Sequence, residues 1–148
     1  MNSKSPNIRT YEAEDENDVI DIWFRCDLII PDNNPRADIA RKLKVNPDLF
    51  LVATIGDRVV ATCMAGYEGH RGWINYLAVL PKFQHRGIAI RLMQEAELRL
   101  RELGCPKINL QIRAGNTHVV KFYKSVGYID DDILNMGKRL QDDPPYQR

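Results

Sequence analysis

No one sign of charge dominates this chain. Its 21 basic and 20 acidic residues leave a formal net charge of +1, so the field that draws nucleic-acid binders onto phosphates is missing. Cysteine is scarce. Cys26, Cys63 and Cys105 are three in number and widely spaced, which fits neither a disulfide framework nor a zinc site. The three histidines are equally scattered. No apolar run approaches the roughly 20 residues that span a bilayer, and Met1 to Pro6 lacks the apolar core of a signal peptide. These absences argue for a cytoplasmic, metal-free protein with reduced thiols, and against nucleic-acid or membrane partners.

What the chain does contain suits a packed fold. Hydrophobic residues make up 44% and charged residues 28%, the proportions of a soluble globular protein. The expectation is a single domain over 1–148, with 1–6 and 142–148 as flexible ends. Ile8–Tyr11 reads as a short strand. Glu14–Leu28 reads as a helix with Val19, Ile22, Trp23 and Cys26 on one face. Pro31 to Pro35 breaks the chain before a second helix, Arg36–Val45. Leu49–Ile55 and Arg58–Gly66 are strands joined by Gly56-Asp57, a two-residue hairpin signal. Ile74–Val79 is a strand halted by Leu80-Pro81. Beyond it, Ala89, Leu92, Met93, Ala96, Leu100 and Leu103 follow the three-four spacing of one buried helical stripe. Ile108, Leu110 and Ile112 alternate as a strand, Asn116–Gly127 is a capped short helix, and Ile133–Leu140 is placed as a returning last strand. A hairpin gives antiparallel pairing, and a strand-helix-strand unit requires a right-handed parallel crossover. The fold class is therefore α+β, a mixed parallel and antiparallel sheet flanked by helices.

The segment Gln84-His85-Arg86-Gly87-Ile88-Ala89 carries the most chemistry. A basic loop entering a helix leaves backbone N–H groups unpaired, with the positive end of the dipole behind them. Gly87 lets a ligand approach that backbone closely. Such a loop is a receptacle for phosphate or pyrophosphate, although a lone glycine at a helix start is also simply a turn. The Walker pattern needs Gly-Lys-Ser/Thr and the dinucleotide fingerprint needs three spaced glycines; neither is here. His85 and Arg86 either contact phosphate or are solvated.

The order Gln-x-x-Gly-x-Ala, after a strand closing in Leu-Ala-Val-Leu-Pro, resembles the acetyl-CoA-binding motif of the GCN5-related N-acetyltransferases, the GNAT family. A second segment, Asn116 through Phe122-Tyr123 to Gly127-Tyr128, resembles the family's Asn…Phe-Tyr-x-x-x-Gly-Tyr/Phe pattern. The likeness runs over roughly Ile8 to Leu140. It implies the GNAT fold and an N-acetyltransferase that moves an acetyl group from acetyl-CoA to a primary amine in a ternary complex. The acceptor would be a peptide or protein α-amine or a small molecule, and the enzyme a monomer or homodimer. By the same resemblance, Gln84, His85, Arg86, Gly87, Ile88 and Ala89 would hold the pyrophosphate. Leu77, Ala78 and Val79 would carry the pantetheine arm, with Asn116 and Tyr123 beside it.

Tyr123 would be the general acid, since a phenol of pKa about 10 stays protonated where a thiol near 8.5 does not. Many family members carry a glutamate on the central strand, but Trp73 to Val79 holds no acid. Glu68, with His70 close by, is the expected base, although both also suit a solvated tight turn. Neutralising a lysine amine at pH 7 costs roughly 4.6 kcal/mol against about 1 for an α-amine, so a weak base favours the α-amine. Trp23 is expected in the core. Tyr67 and Tyr76 either line an acceptor pocket or pack, and Asp130 to Asp132 is either a solvated loop or a steering charge. A non-catalytic acyl-CoA-binding sensor or interaction module on the same fold is the alternative function.

Overall fold

Strands that are apolar on both faces must be covered on both faces, and that requirement organises the molecule. The computed structural model describes residues 5–147. In chain order it contains β1 (Asn7–Thr10), α1 (Glu16–Arg25), α2 (Pro35–Lys42), β2 (Phe50–Ile55) and β3 (Arg58–Tyr67). β4 (Gly72–Val79), α3 (Ile88–Glu102), β5 (Ile108–Leu110) and α4 (Thr117–Ser125) follow. The five strands form one sheet in the order β1-β2-β3-β4-β5. The first four pair antiparallel, and β5 joins β4 in parallel through the α3 crossover. The mixed sheet and its flanking helices are as expected.

Leu51, Val52 and Ala53 of β2 and Val60 and Ala61 of β3 are fully buried. α1 supplies Val19, Ile22 and Trp23 to the core, and α3 supplies Ile88, Leu92, Met93, Ala96 and Leu100. Trp23 is a core residue, 0% exposed. Leu103, expected on the stripe, lies past the last turn of α3 and is 49% exposed. Gly72 is where β4 packs hardest: a Cβ there would stand 2.9 Å from the Cys105 sulfur.

The last strand, Ile133–Leu140, does not form. Beyond α4 the described chain has no helix or strand. Asp130 Oδ1 accepts the N–H of Asp132, which stands at φ 55°, so a local turn takes the donor that a ladder would use. Side-chain bonds tie this stretch to the residues on either side of β5, through Lys107–Asp131 at 2.6 Å and Gln111–Asn135. The end expected to be flexible over 142–148 makes side-chain contacts with α2 and its cap. Asp143 accepts two bonds from Arg41, at 2.9 and 3.0 Å, and the N–H of Asn34 at 3.0 Å. Its side chain is 6% exposed. Residues 1–4 and 148 lie outside the described chain.

Candidate active site

The strand-to-helix loop is built to present main-chain donors. β4 ends at Val79, whose carbonyl accepts the Gln84 side-chain amide at 3.0 Å, folding the loop back on the strand. His85 and Gly87 both stand in the left-handed region, at φ 64° and 81°, which glycine adopts at no steric cost. The first intrahelical bond of α3 runs from Arg91 N–H to the Gly87 carbonyl at 3.1 Å. The N–H groups of Ile88, Ala89 and Ile90 therefore have no acceptor within the described chain, and no side chain caps the helix. No acid sits in the first turn. A Cβ on Gly87 would meet nothing within 4 Å, so the approach is open. The guanidinium carbons of Arg58 and Arg86 lie 5.4 and 5.3 Å from the centroid of the Phe83 ring, which fixes positive charge beside the loop. Donors, dipole and charge together make an anion cradle.

The strand feeding this loop is irregular where it matters. Asn75 pairs with Met64 and Ala78 with Thr62, so Tyr76 and Leu77 together oppose Cys63. This is a β-bulge, and Tyr76 sits in it at φ 51°. For a bulky residue that conformation costs on the order of 1–3 kcal/mol. Three contacts offset it. The Thr62 hydroxyl donates to the Tyr76 carbonyl at 2.7 Å and accepts Trp23 Nε1–H at 3.0 Å. The Tyr76 hydroxyl donates to Asp38 at 2.6 Å, and the Trp23 ring stacks on Tyr76 with centroids 3.7 Å apart. At about 1 kcal/mol per hydrogen bond and ~0.5–1.5 for the stack, the network holds the strain. β5 pairs only with Gly72, Trp73 and Ile74. From Asn75 to Val79, β4 thus has no strand on its β5 side among the described residues, and an extended ligand arm can take that edge.

Tyr123 of α4 lies within electrostatic reach of Cys63, the residue opposite the bulge. It is 8% exposed, and its hydroxyl takes no hydrogen bond within the described chain. No buried side-chain polar atom among the described residues lacks a partner, so this oxygen opens to solvent rather than into the core. Burial raises its pKa above the phenol range, and the Cys63 sulfur, opposite the bulge, raises it further. Cys63 is itself pushed up to about 12 by complete burial. A protonated, unpartnered phenol beside a bulged strand edge can donate a proton to a group held there.

The model of the acetyltransferase (GNAT) family matches residues 11–128. The chain belongs to this family. It is 46% identical over 140 residues to Acetyltransferase SG1711 of Sodalis glossinidius (strain morsitans), with 94% of this chain and 99% of that one covered. Its structure is similar to that of Ard1 from Thermoplasma volcanium, with a TM-score of 0.76 at 23% identity over 84% of this chain and 82% of that one. It is also similar to AAC(6')-Iy in complex with the bisubstrate analog CoA-S-monomethyl-acetylneamine, with a TM-score of 0.77 at 16% identity over 92% and 99%. At these identities the two structures speak to the fold alone. The relative and the family together support acetyl transfer as the chemistry.

Within this GNAT fold the expected site residues separate into groups. Gln84, His85, Arg86 and Gly87 form the exposed loop, with the N–H groups of Ile88 and Ala89 beside it. Ile88 itself is 2% exposed, so only its main chain can face a ligand. Ala78 and Val79 are buried, and they too have only backbone to offer. Asn116 caps α4 by accepting Val119 N–H at 3.3 Å. Glu68 stands apart. Its carboxylate accepts the N–H groups of His70 and Arg71 and Trp73 Nε1–H, which lowers its pKa. It also precedes Gly72, about 13 Å of strand before the bulge at ~3.3 Å per residue. Tyr67 bonds its own loop at Gly69.

Sequence reasoning missed Asp38, Arg41 and Asp143. They continue the Tyr76 hydrogen bond outward, Arg41 bridging the two acids at 2.7 and 2.9 Å. Arg41 and Asp143 line a cavity of about 510 Å³ with Gly137, Arg139 and Gln141. Nothing in a linear reading pairs Asp38 with Tyr76, because the bulge that aims the tyrosine is a tertiary feature.

Proposed function

We propose that this protein transfers the acetyl group of acetyl-CoA to a primary amine, by direct attack in a ternary complex. The observation that supports the reading is the run of free main-chain donors at the α3 N-terminus, which follows the edge of β4 that has no strand beside it among the described residues. In this reading the N–H groups of Gly87 to Ile90 hold the pyrophosphate, with Arg86 alongside. The open edge from Leu77 to Val79 takes the pantetheine arm as an added strand, and a backbone N–H there polarises the thioester carbonyl. Tyr123 gives its proton to the departing sulfur, and its raised pKa keeps that proton in place at neutral pH.

Glu68 is tied into its own turn with its pKa lowered, so water takes the amine proton. That arrangement suits an acceptor that is cheap to neutralise. An α-amine costs about 1 kcal/mol at pH 7 against roughly 4.6 for lysine. The acceptor enters from the side of Tyr76 and Asp38. Release of free thiol from acetyl-CoA, followed over a panel of peptides and small amines, tests the reading. Turnover with α-amines ahead of lysine side chains is expected. Tight binding with no thiol release on any acceptor would point to the non-catalytic acyl-CoA-binding module.

A further inference from the structure

The strained bulge of β4 is tied by hydrogen bonds to the C-terminal tail. The Tyr76 hydroxyl donates to Asp38 Oδ2 at 2.6 Å, and Arg41 Nη2 donates to Asp38 Oδ1 at 2.7 Å. Both oxygens of Asp38 are thus occupied. The same guanidinium donates through its two terminal nitrogens to Asp143, at 2.9 and 3.0 Å. Asp143 in turn accepts the N–H of Asn34, the cap of α2, at 3.0 Å. Around it the tail is seated on the connection between α1 and α2. Asn34 Nδ2 donates to the Pro144 carbonyl at 2.9 Å, and Arg139 donates to Asn33 Oδ1 at 2.9 Å. The Arg36 guanidinium carbon lies 5.8 Å from the centroid of the Tyr146 ring.

Each link in this chain orients the one before it. A carboxylate with a single partner swings about its terminal torsion, which is broad and soft. With Arg41 on its second oxygen, Asp38 keeps its plane and offers Tyr76 one fixed acceptor. Arg41 is half exposed and long, with many rotamers to lose. A two-point contact with a carboxylate selects one of them, and that carboxylate, on Asp143, is 6% exposed. Exposed ion pairs add little to stability, so the chain supplies geometry more than folding energy. Its inner end is Tyr76, at φ 51°, in the stretch of β4 with no strand on its β5 side among the described residues. A bulky residue stays in that conformation only while its surroundings hold it there. Once released, it turns the Tyr76–Leu77 peptide with it.

We infer that Asp143 is a positioning residue of the acetyl-transfer site, acting through Arg41 and Asp38 on Tyr76. This role rests on the proposed use of β4, in which a backbone N–H polarises the thioester carbonyl. A donor slightly out of place still allows acetyl-CoA to bind, but it meets the developing oxyanion poorly. The loss therefore falls on kcat.

Thiol release from acetyl-CoA by the wild type and by Asp143→Asn tests this. The variant should keep its fold and its KM for acetyl-CoA, while kcat falls by roughly 10–100-fold, the scale of a small misplacement caused far from the chemistry. Asp143→Glu, which keeps the charge, should recover most of the rate. In a Tyr76→Phe background the hydroxyl link is already gone, so Asp143→Asn should cost nothing more. A tail that merely stabilises the fold would cost the same in both backgrounds. A spectrum of the indole N–H groups needs no turnover, and so distinguishes failure of this role from failure of the proposed function. The chain has two tryptophans. Trp23 stacks on Tyr76 with centroids 3.7 Å apart, whereas Trp73 bonds Glu68. In Asp143→Asn the Trp23 resonance should move and that of Trp73 should stay. A wild-type kcat in Asp143→Asn, a loss fully additive with Tyr76→Phe, or an unmoved Trp23 resonance would overturn the inference.

Discussion

The two sides of the site are made of different material. At the anchor, from Gln84 to Ile90, the offered groups are main-chain N–H donors fixed by two left-handed residues and a helix start. At the side proposed for the acceptor, order comes from side chains far apart in sequence. Arg41 and Asp143 are 102 residues apart, and Asp38 meets Tyr76 across 38. A main-chain cradle depends on backbone angles and hardly on residue identity, so it serves one constant ligand. A rim of side chains changes with every substitution, so it can be retuned for a new acceptor. On the proposed function, cofactor affinity belongs to the first region and acceptor choice to the second.

Substitutions that respect this division sharpen it, and any that cross it break it. The largest effect is expected from Tyr123→Phe, at the seam between the two. Losing a positioned acid should lower kcat by roughly 10²–10⁴-fold. Acetyl-CoA affinity and melting should hold, because no intramolecular hydrogen bond is lost. The wild-type rate should rise with pH as the amine deprotonates, with no alkaline fall from Tyr123 near its usual value of about 10, since burial raises it. A pH–rate profile reads this directly.

Next comes Gly87→Glu at the anchor, where a carboxylate would enter the open space of the cradle. Acetyl-CoA binding by calorimetry should weaken by about 100-fold or more, or ~2.7 kcal/mol. Because φ is 81°, any side chain there also costs about 1–2 kcal/mol of stability. Gly87→Ala is the control, with the same strain and much of the affinity kept. If both variants lose affinity equally, backbone angle and not charge is at work.

A smaller effect is expected from Thr62→Val, which removes the hydroxyl bridging Trp23 Nε1–H and the Tyr76 carbonyl. Two buried groups lose a partner, at about 1–3 kcal/mol, or several degrees of melting at ~2–4 °C per kcal/mol. Glu68→Gln should leave kcat/KM within about twofold, far from the 10²–10⁴ of a working base. The least visible effect is at the tail. Arg41 and the Asn34 N–H hold the Asp143 carboxyl down to about 2. A depressed acid stabilises above its unfolded pKa, here near 3.8, and that contribution is lost as pH falls through about 2. Exchange protection around Asn34 should therefore fade only below about pH 4.

The same contrast explains what the sequence revealed. The strand-to-helix loop was legible because Pro81, Gly87 and the apolar period of α3 are local signals, each with a backbone consequence. Asn116 was legible as a cap for the same reason. The bulge was not, since Tyr76 reads as an ordinary strand aromatic until Thr62, Trp23 and Asp38 are brought around it. Ile133–Leu140 read as a strand because its composition is right. Its backbone has no ladder among the described residues, and Asp130 and Asp132 take up a turn instead. Asp143 read as part of a frayed end because its partner is on α2, too distant for any spacing rule.

The central claim is one of place, that acetyl-CoA lies along β4 with its pyrophosphate on the start of α3. Amide hydrogen exchange with and without the ligand measures it residue by residue. Protection should rise at two separated stretches, the β4 edge from Leu77 to Val79 and the α3 start from Gly87 to Ile90. The β3–β4 turn around Glu68 should stay unchanged. Protection at neither stretch under saturating ligand, or protection centred on the cavity beside Arg41, would contradict it.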